Sequence, residues 1–180
     1  MIRLSIITVF KDPVETLEKT EASVLREFGD SNEVEYIQKE WTADREESVE
    51  CSVGLADGIC RLSLRGMDEG VFDGMSQALK HARGEWVLFL NAGDWLAEGF
   101  GEKFLDTAIA VAADCGFLYF DGMTVDCEDG RVFPRQAPDS LRLDDFYSYA
   151  PILHPCLIVR RSIMELYNYD LGLDLAADFD

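Results

Sequence analysis

Where the apolar run Trp86 to Leu90 gives out, Asn91-Ala92-Gly93-Asp94 brings an amide and a carboxylate together across two small residues. A carboxylate is a hard oxygen ligand, suited to a divalent cation that keeps part of its water shell and bridges two phosphates. Ala92 and Gly93 leave room for a ligand to approach the main chain. The same carboxylate could instead cap a turn or a helix, and the local residues fit both readings.

Composition limits what else this chain can do. Its 180 residues fit one domain able to bury roughly 70% of the surface its unfolded form exposes, and a 48% apolar and 28% charged composition is that of a globular protein. There are 35 Asp and Glu against 16 Lys and Arg, a formal net charge of -19. That balance argues against nucleic acid as a partner, and most of these carboxylates are expected to be a solvated surface. The five cysteines form no Cys-x-x-Cys pair and have no His at zinc-finger spacing, so neither a zinc site nor a disulfide framework is expected. A reducing, cytoplasmic setting follows. No apolar run approaches the roughly 20 residues of a membrane span, so any membrane association would be peripheral.

The elements that must position Asp94 can be read from periodicity. Leu4 to Phe10 is a continuous apolar, β-branched stretch, the pattern of a strand buried on both faces. Asp12 as N-cap and Pro13 in the first turn then open a helix that carries Val14, Leu17, Val24, Leu25 and Phe28 at helical spacing. Further strands are expected at Val34 to Ile37, Arg61 to Leu64, Trp86 to Leu90, Phe117 to Phe120 and Ile152 to Val159. Helices are expected at Val71 to Ala82, closed by Gly84, and at Phe104 to Ala113. Val125 and Val132 flank Asp129-Gly130, a hairpin signal, and Arg135 to Ala150 reads as a polar loop. Strands alternating with helices and then a hairpin predict an α/β fold whose mostly parallel sheet has a mixed edge.

In such sheets ligands bind beyond the carboxyl ends of the strands. The first strand ends in Lys11-Asp12-Pro13 with no glycine, so neither a Gly-x-Gly-x-x-Gly dinucleotide loop nor a Walker-type loop is present. Phosphates bound here would be neutralised by a cation on carboxylates, which returns attention to Asp94.

The run Gly66-Met67-Asp68-Glu69-Gly70-Val71-Phe72-Asp73-Gly74-Met75-Ser76-Gln77-Ala78, followed by Ala82-Arg83-Gly84-Glu85 and the strand ending at Asp94, resembles family 2 glycosyltransferases. The nearest subgroup is the one that makes bacterial surface polysaccharides. The resemblance implies a single GT-A-type, Rossmann-like domain over residues 1–180, a mostly parallel mixed sheet flanked by helices, with the acceptor-side helices that usually follow absent or trimmed. It implies that Thr8 and Phe10 lie beside the nucleotide base and that Asp68, Gly70 and Asp73 border the donor nucleotide. Asn91 and Asp94 match an Asn-x-Gly-Asp variant of the family's metal motif, so the resemblance implies Mg²⁺ or Mn²⁺ at Asp94 and counts Asn91 among the nucleotide contacts. Ala177-Asp178-Phe179-Asp180 resembles the family's segment for the general base, here Asp178, which would take the acceptor hydroxyl's proton. His154-Pro155-Cys156 and Arg160-Arg161-Ser162 resemble its His-Gln and Arg-Arg-Ser segments. His154 is a candidate acceptor or phosphate contact, with a hydrogen-bonded structural histidine as the alternative. His81 is expected to compensate a helix dipole at the surface.

One segment departs from the family. Lys39-Glu40-Trp41-Thr42-Ala43-Asp44 stands where relatives carry an Asp-Gly-x-Ser-x-Asp run that reads uracil. Asp44 survives, and Glu40 either replaces the lost carboxylate or is an ordinary strand-end charge. The expectation is an inverting, metal-dependent hexosyltransferase that takes a sugar from a nucleotide-sugar donor, UDP by family habit, to a saccharide or lipid-linked acceptor in polysaccharide biosynthesis. A non-catalytic nucleotide-sugar-binding or assembly domain is the rival. A metal-dependent phosphohydrolase fits less well, because no aspartyl nucleophile motif follows the first strand.

Overall fold

The computed structural model describes residues 2–11, 14–43, 48–53, 58–146, 151–167 and 169. Asp12, Pro13, Asp44 and Asp178, each given a role above, lie outside them, as does the segment Ala177 to Asp180.

Strand β1 (Leu4–Phe10) is buried along nearly its whole length, as its unbroken apolar run predicts. Helix α1 (Val14–Phe28) follows, then β2 (Val34–Trp41), β3 (Ser48–Val53), β4 (Cys60–Gly66), α2 (Val71–Leu79) and β5 (Trp86–Phe89). The second half adds α3 (Phe100–Ala110), β6 (Phe117–Tyr119), the hairpin β7 (Gly122–Val125) and β8 (Val132–Arg135), α4 (Leu143–Phe146), a 3₁₀ turn at His154–Cys156, β9 (Leu157–Arg160) and α5 (Arg161–Leu166).

Seven strands form one sheet in the order β3-β4-β2-β1-β5-β9-β6. The central four, β4, β2, β1 and β5, are parallel, and β3 and β9 run against their neighbours. The hairpin β7-β8 is a separate two-stranded sheet, so the mixed character of the main sheet comes from β3 and β9 rather than from the Asp129-Gly130 turn. Both faces of the sheet are covered. One carries Leu4, Ile6, Tyr36, Trp86 and Leu88 against Val24 and Phe28 of α1 and Phe104 of α3. The other carries Ile7, Val9, Ile37 and Val87 against Met75, Ala78 and Leu79 of α2.

Several boundaries differ from the sequence reading. The last strand begins at Leu157 rather than Ile152, because Pro155 sits in a 3₁₀ turn closed by Cys156 N to Leu153 O. Helix α2 stops at Leu79, three residues short of Ala82. Gly84 is not its stop signal: a Cβ there would lie 2.5 Å from Ser5 N, so the glycine permits main chain to pass against β1. Helix α3 spans Phe100–Ala110 rather than Phe104 to Ala113, starting behind Gly99, whose φ of 80 favours glycine. Strand β3 and the short α4, inside the expected loop, are absent from the sequence reading.

The parallel strands place Phe10, Trp41, Gly66 and Phe89 at one edge of the sheet. Antiparallel β9 brings its start, Leu157, to the same edge, opposite Tyr119 of β6. The residues that follow β1, β4, β5 and β6, and those that precede β9, therefore converge there.

Candidate functional site

The turn that carries Asp94 is fixed from two directions. From β1, the fully buried Thr8 donates its hydroxyl to Leu90 O at 2.6 Å and accepts from the Tyr36 hydroxyl at 3.1 Å. From α1, Thr20 Oγ1 donates to Asp94 O at 2.7 Å and accepts from Gly93 N at 3.0 Å, Ser23 Oγ accepts from Leu96 N at 3.0 Å, and Arg26 donates to Leu96 O at 2.6 Å. Gly93 itself has a φ of 101, in the left-handed region. These main-chain bonds hold the turn while leaving the Asp94 side chain uncommitted.

Among the described residues no cation pairs with the Asp94 carboxylate. It is half-buried, and desolvation alone raises its pKa above the ordinary aspartate value. In the same turn, closed by Asp94 N to Asn91 O, the buried Asn91 Oδ1 has no hydrogen-bond partner. An unpaired carboxylate and an orphaned amide oxygen in one turn fit a hard divalent cation better than they fit a turn cap. No group of three or more His, Cys, Asp or Glu able to hold a metal occurs among the described residues. A cation here would have to complete its shell with water and phosphate oxygens.

Two clefts open at this edge. The first, about 600 Å³, is lined by Phe10, Lys11, Trp41, Asp68, Gly70 and Val71, among others. Lys11 Nζ lies 4.2 Å from the centre of the Trp41 ring. Phe10, Asp68 and Gly70 thus meet in one cavity. Asp73 stands just beyond it, at the start of α2, where it accepts from Glu69 N at 2.9 Å and Gln77 Nε2 at 2.8 Å. Glu40 pairs with Arg65 at 2.7 Å, its register partner on β4, which makes it a cross-strand ion pair. Thr8 is fully buried with its hydroxyl engaged by Leu90 O and Tyr36, so any contact it makes with a base would be through main chain.

The second cleft, about 420 Å³, is lined by Asp94, Phe100, Phe120, Asp121, Met123 and Cys156, among others. Burial, with Asp94 and Asp121 nearby, pushes the Cys156 thiol up to about 11. His154 stacks on Phe89 at 6.1 Å, and its Nε2 is 3.0 Å from the Tyr169 hydroxyl. The sequence reading missed Thr20, Ser23 and Arg26 as the supports of the turn. Their signal was faint: Thr20 and Ser23 are hydroxyls within the helical register of Val24 and Phe28, where side chains should be buried.

No protein-family model matches the chain, and no curated protein matches it. Solved structures do. TarS residues 1–349 from S. aureus superposes with a TM-score of 0.66 at 17% identity, over 99% of this chain and 53% of that one. Its complex with UDP-GlcNAc gives 0.63 at 16% identity, over 94% and 49%. Mannosyltransferase PcManGT from Pyrobaculum calidifontis, in complex with GDP-Man and Mn²⁺, gives 0.61 at 16% identity, over 98% and 49%. The chain spans about half the length of these neighbours. It has the GT-A fold of glycosyltransferases, with a mostly parallel seven-stranded sheet between helices.

Proposed function

We propose that this chain, with its GT-A fold, is an inverting hexosyltransferase that moves a sugar from a nucleoside diphosphate, UDP first among candidates, to a saccharide or lipid-linked acceptor in polysaccharide biosynthesis. The observation that carries the reading is the uncompensated Asp94 carboxylate, which lines the second cleft beyond the end of β5. Neighbours of the same fold hold UDP-GlcNAc, or GDP-Man with Mn²⁺.

In this reading Phe10, Asp68 and Gly70 take the nucleoside in the first cleft, with Asp73 behind them. Asp94, with Asn91 at the start of the same turn, would hold Mg²⁺ or Mn²⁺. The cation, when bound, supplies positive charge to the departing diphosphate. Thr20 and Ser23 keep the turn from shifting as that charge develops. Asp178, outside the described residues, takes the proton of the acceptor hydroxyl. That oxygen forms its bond to C1 on the face opposite the diphosphate, the C1–O bond to phosphate breaks, and nucleoside diphosphate leaves. The reading places the reaction in the cytoplasm, with any membrane association peripheral. Among the described residues no helix is long and apolar enough to cross a membrane.

Product analysis with a panel of nucleotide-sugars and acceptors tests this. Sugar transferred to an acceptor by the parent, with Asp178→Asn still binding donor but transferring nothing, supports it; transfer undiminished in Asp178→Asn removes that residue from the mechanism. The Lys39-to-Asp44 departure in sequence favours one other reading, a non-catalytic nucleotide-sugar-binding or assembly domain. Donor binding with no product from any acceptor would favour that rival.

A further inference from the structure

Among the described residues Lys39 is the one charged side chain with no exposed surface at all, and the proposed function gives it no role. It lies on the face of β2 that packs under α2, in register with Val9 of β1 and Leu64 of β4, among residues of the apolar core. An aliphatic side chain there would be as good for stability, because burying a charge costs desolvation that its partners only offset. The position of its ammonium group is informative. Lys39 Nζ donates to Gly66 O at 2.6 Å and to Glu40 O at 3.3 Å, and stands 3.5 Å from Asp68 Oδ2. Lys39 is 0% and Asp68 11% exposed, so this pair is scarcely screened by water. The other Asp68 oxygen accepts from Gly70 N at 3.2 Å. On the far side, a Cβ on Gly74 would come within 3.2 Å of Asp68 Oδ2. Helix α2 thus closes on the carboxylate through a position that has no side chain.

We propose that Lys39 is a positioning residue for nucleotide recognition: it holds the Asp68 carboxylate, and the Gly66–Gly70 turn with it, in the wall of the 600 Å³ cleft where the nucleoside's donor groups are read. The inference rests on the assignment of that cleft to the nucleotide, and goes beyond it in saying what orients the reading group.

The test is calorimetric binding of UDP and GDP, with Mn²⁺, to the parent, Lys39→Met, Lys39→Arg, Asp68→Asn, the double variant Lys39→Met/Asp68→Asn, and Gly74→Ala. Lys39→Met and Asp68→Asn should each weaken the preferred nucleotide about tenfold, the loss of one charge-assisted contact. The double variant should bind no worse than Asp68→Asn, because Lys39 acts through Asp68. Lys39→Arg should recover part of the loss, and Mn²⁺ should still tighten binding in every variant, since Asp94 is untouched.

Gly74→Ala covers the case in which Lys39→Met does not fold. Its methyl would press on Asp68 Oδ2 while leaving Lys39 in place, so this variant should fold, as circular dichroism would show, yet bind nucleotide about threefold more weakly. A merely structural Lys39 predicts parental affinity from a folded Gly74→Ala. Losses that add in the double variant, or a folded Gly74→Ala with parental affinity, overturn the proposal. If the parent binds neither nucleotide, the assignment of the cleft falls and takes this with it; if the parent binds and the variants match it, only the role of Lys39 falls.

Discussion

Glu35 allows stability and site chemistry to be separated experimentally. It sits near the start of β2, at the opposite edge of the sheet from the clefts, with a side chain only 3% exposed. Its Oε1 accepts from the Ser5 hydroxyl and from Arg83 N, both at 2.6 Å, and its Oε2 from Arg83 Nε at 2.7 Å. The Ser5 hydroxyl in turn accepts from Gly84 N at 2.9 Å, so one carboxylate ties together β1, β2 and the turn that leads into β5. The Arg83 side chain is 61% exposed, so its ion pair contributes little beyond the hydrogen bonds. Glu35→Ala removes two charge-assisted hydrogen bonds in the buried part, one of which leaves Arg83 N without its acceptor. At about 1–3 kcal/mol for each such loss, the total is about 2–6 kcal/mol. For a chain of this size that is a fall of roughly 4–24 °C in the unfolding midpoint. Glu35→Gln, which can still accept at Oε1, should lose about half as much. Thermal unfolding followed by circular dichroism measures both, and nucleotide titration well below the transition should give the parental affinity, since the edge that carries Asp94 is undisturbed. A midpoint within 2 °C of the parent for Glu35→Ala, or affinity lost while the protein is folded, would refute this reasoning.

Gly84→Ala should destabilise by at least about 3 kcal/mol, because its Cβ would lie 2.5 Å from Ser5 N and 2.7 Å from Leu4 C, main-chain atoms that cannot swing aside; chemical denaturation reads this. The Cys156 thiol, pushed up to about 11, is about one part in a thousand thiolate at pH 8. Iodoacetamide labelling mapped by mass spectrometry should therefore modify the exposed Cys51 and Cys127 well before Cys156. Asp94 titrates above the ordinary aspartate range because burial disfavours its charge. Two signs follow. Protons compete with the cation, so metal-dependent nucleotide affinity should decline on acidification at a pH above that of a free aspartate. A carboxyl group with a raised folded pKa costs the fold stability as pH rises through that pKa, so at neutral pH Asp94→Asn should leave the metal-free protein as stable as the parent or more so.

The parts of this protein that were legible in the sequence are those where one local pattern decides the structure. β1 and β5 are unbroken apolar runs, and α1 is an amphipathic helix, so each declared itself without help from the rest of the chain. Asp94 stood out in the sequence because a dry strand ended abruptly in small residues and one acid, and its role as a metal ligand is the proposal put to the test below. β2 was cut short at Ile37 because Gln38-Lys39-Glu40 looks like a solvated end. The strand in fact continues to Trp41, with Lys39 made tolerable inside by Gly66 O and Asp68. β3 was missed because an edge strand is held by pairing to β4, not by its own side chains. Thr20 and Ser23 were missed for a related reason: their partners lie 73 or 74 residues away, and a hydroxyl on a helix looks the same whether it meets water or a distant main chain. The clefts were legible only through resemblance, since Phe10 and Asp68 are brought together by the sheet.

The most direct test of the central claim is calorimetric titration of UDP, and separately GDP, into the parent and Asp94→Ala, each with Mn²⁺ and with a chelator. The account predicts that Mn²⁺ tightens binding of one nucleotide to the parent by about tenfold or more, and that Asp94→Ala binds equally weakly in both conditions. An Asp94→Ala protein whose affinity still rises with Mn²⁺ as the parent's does would contradict it.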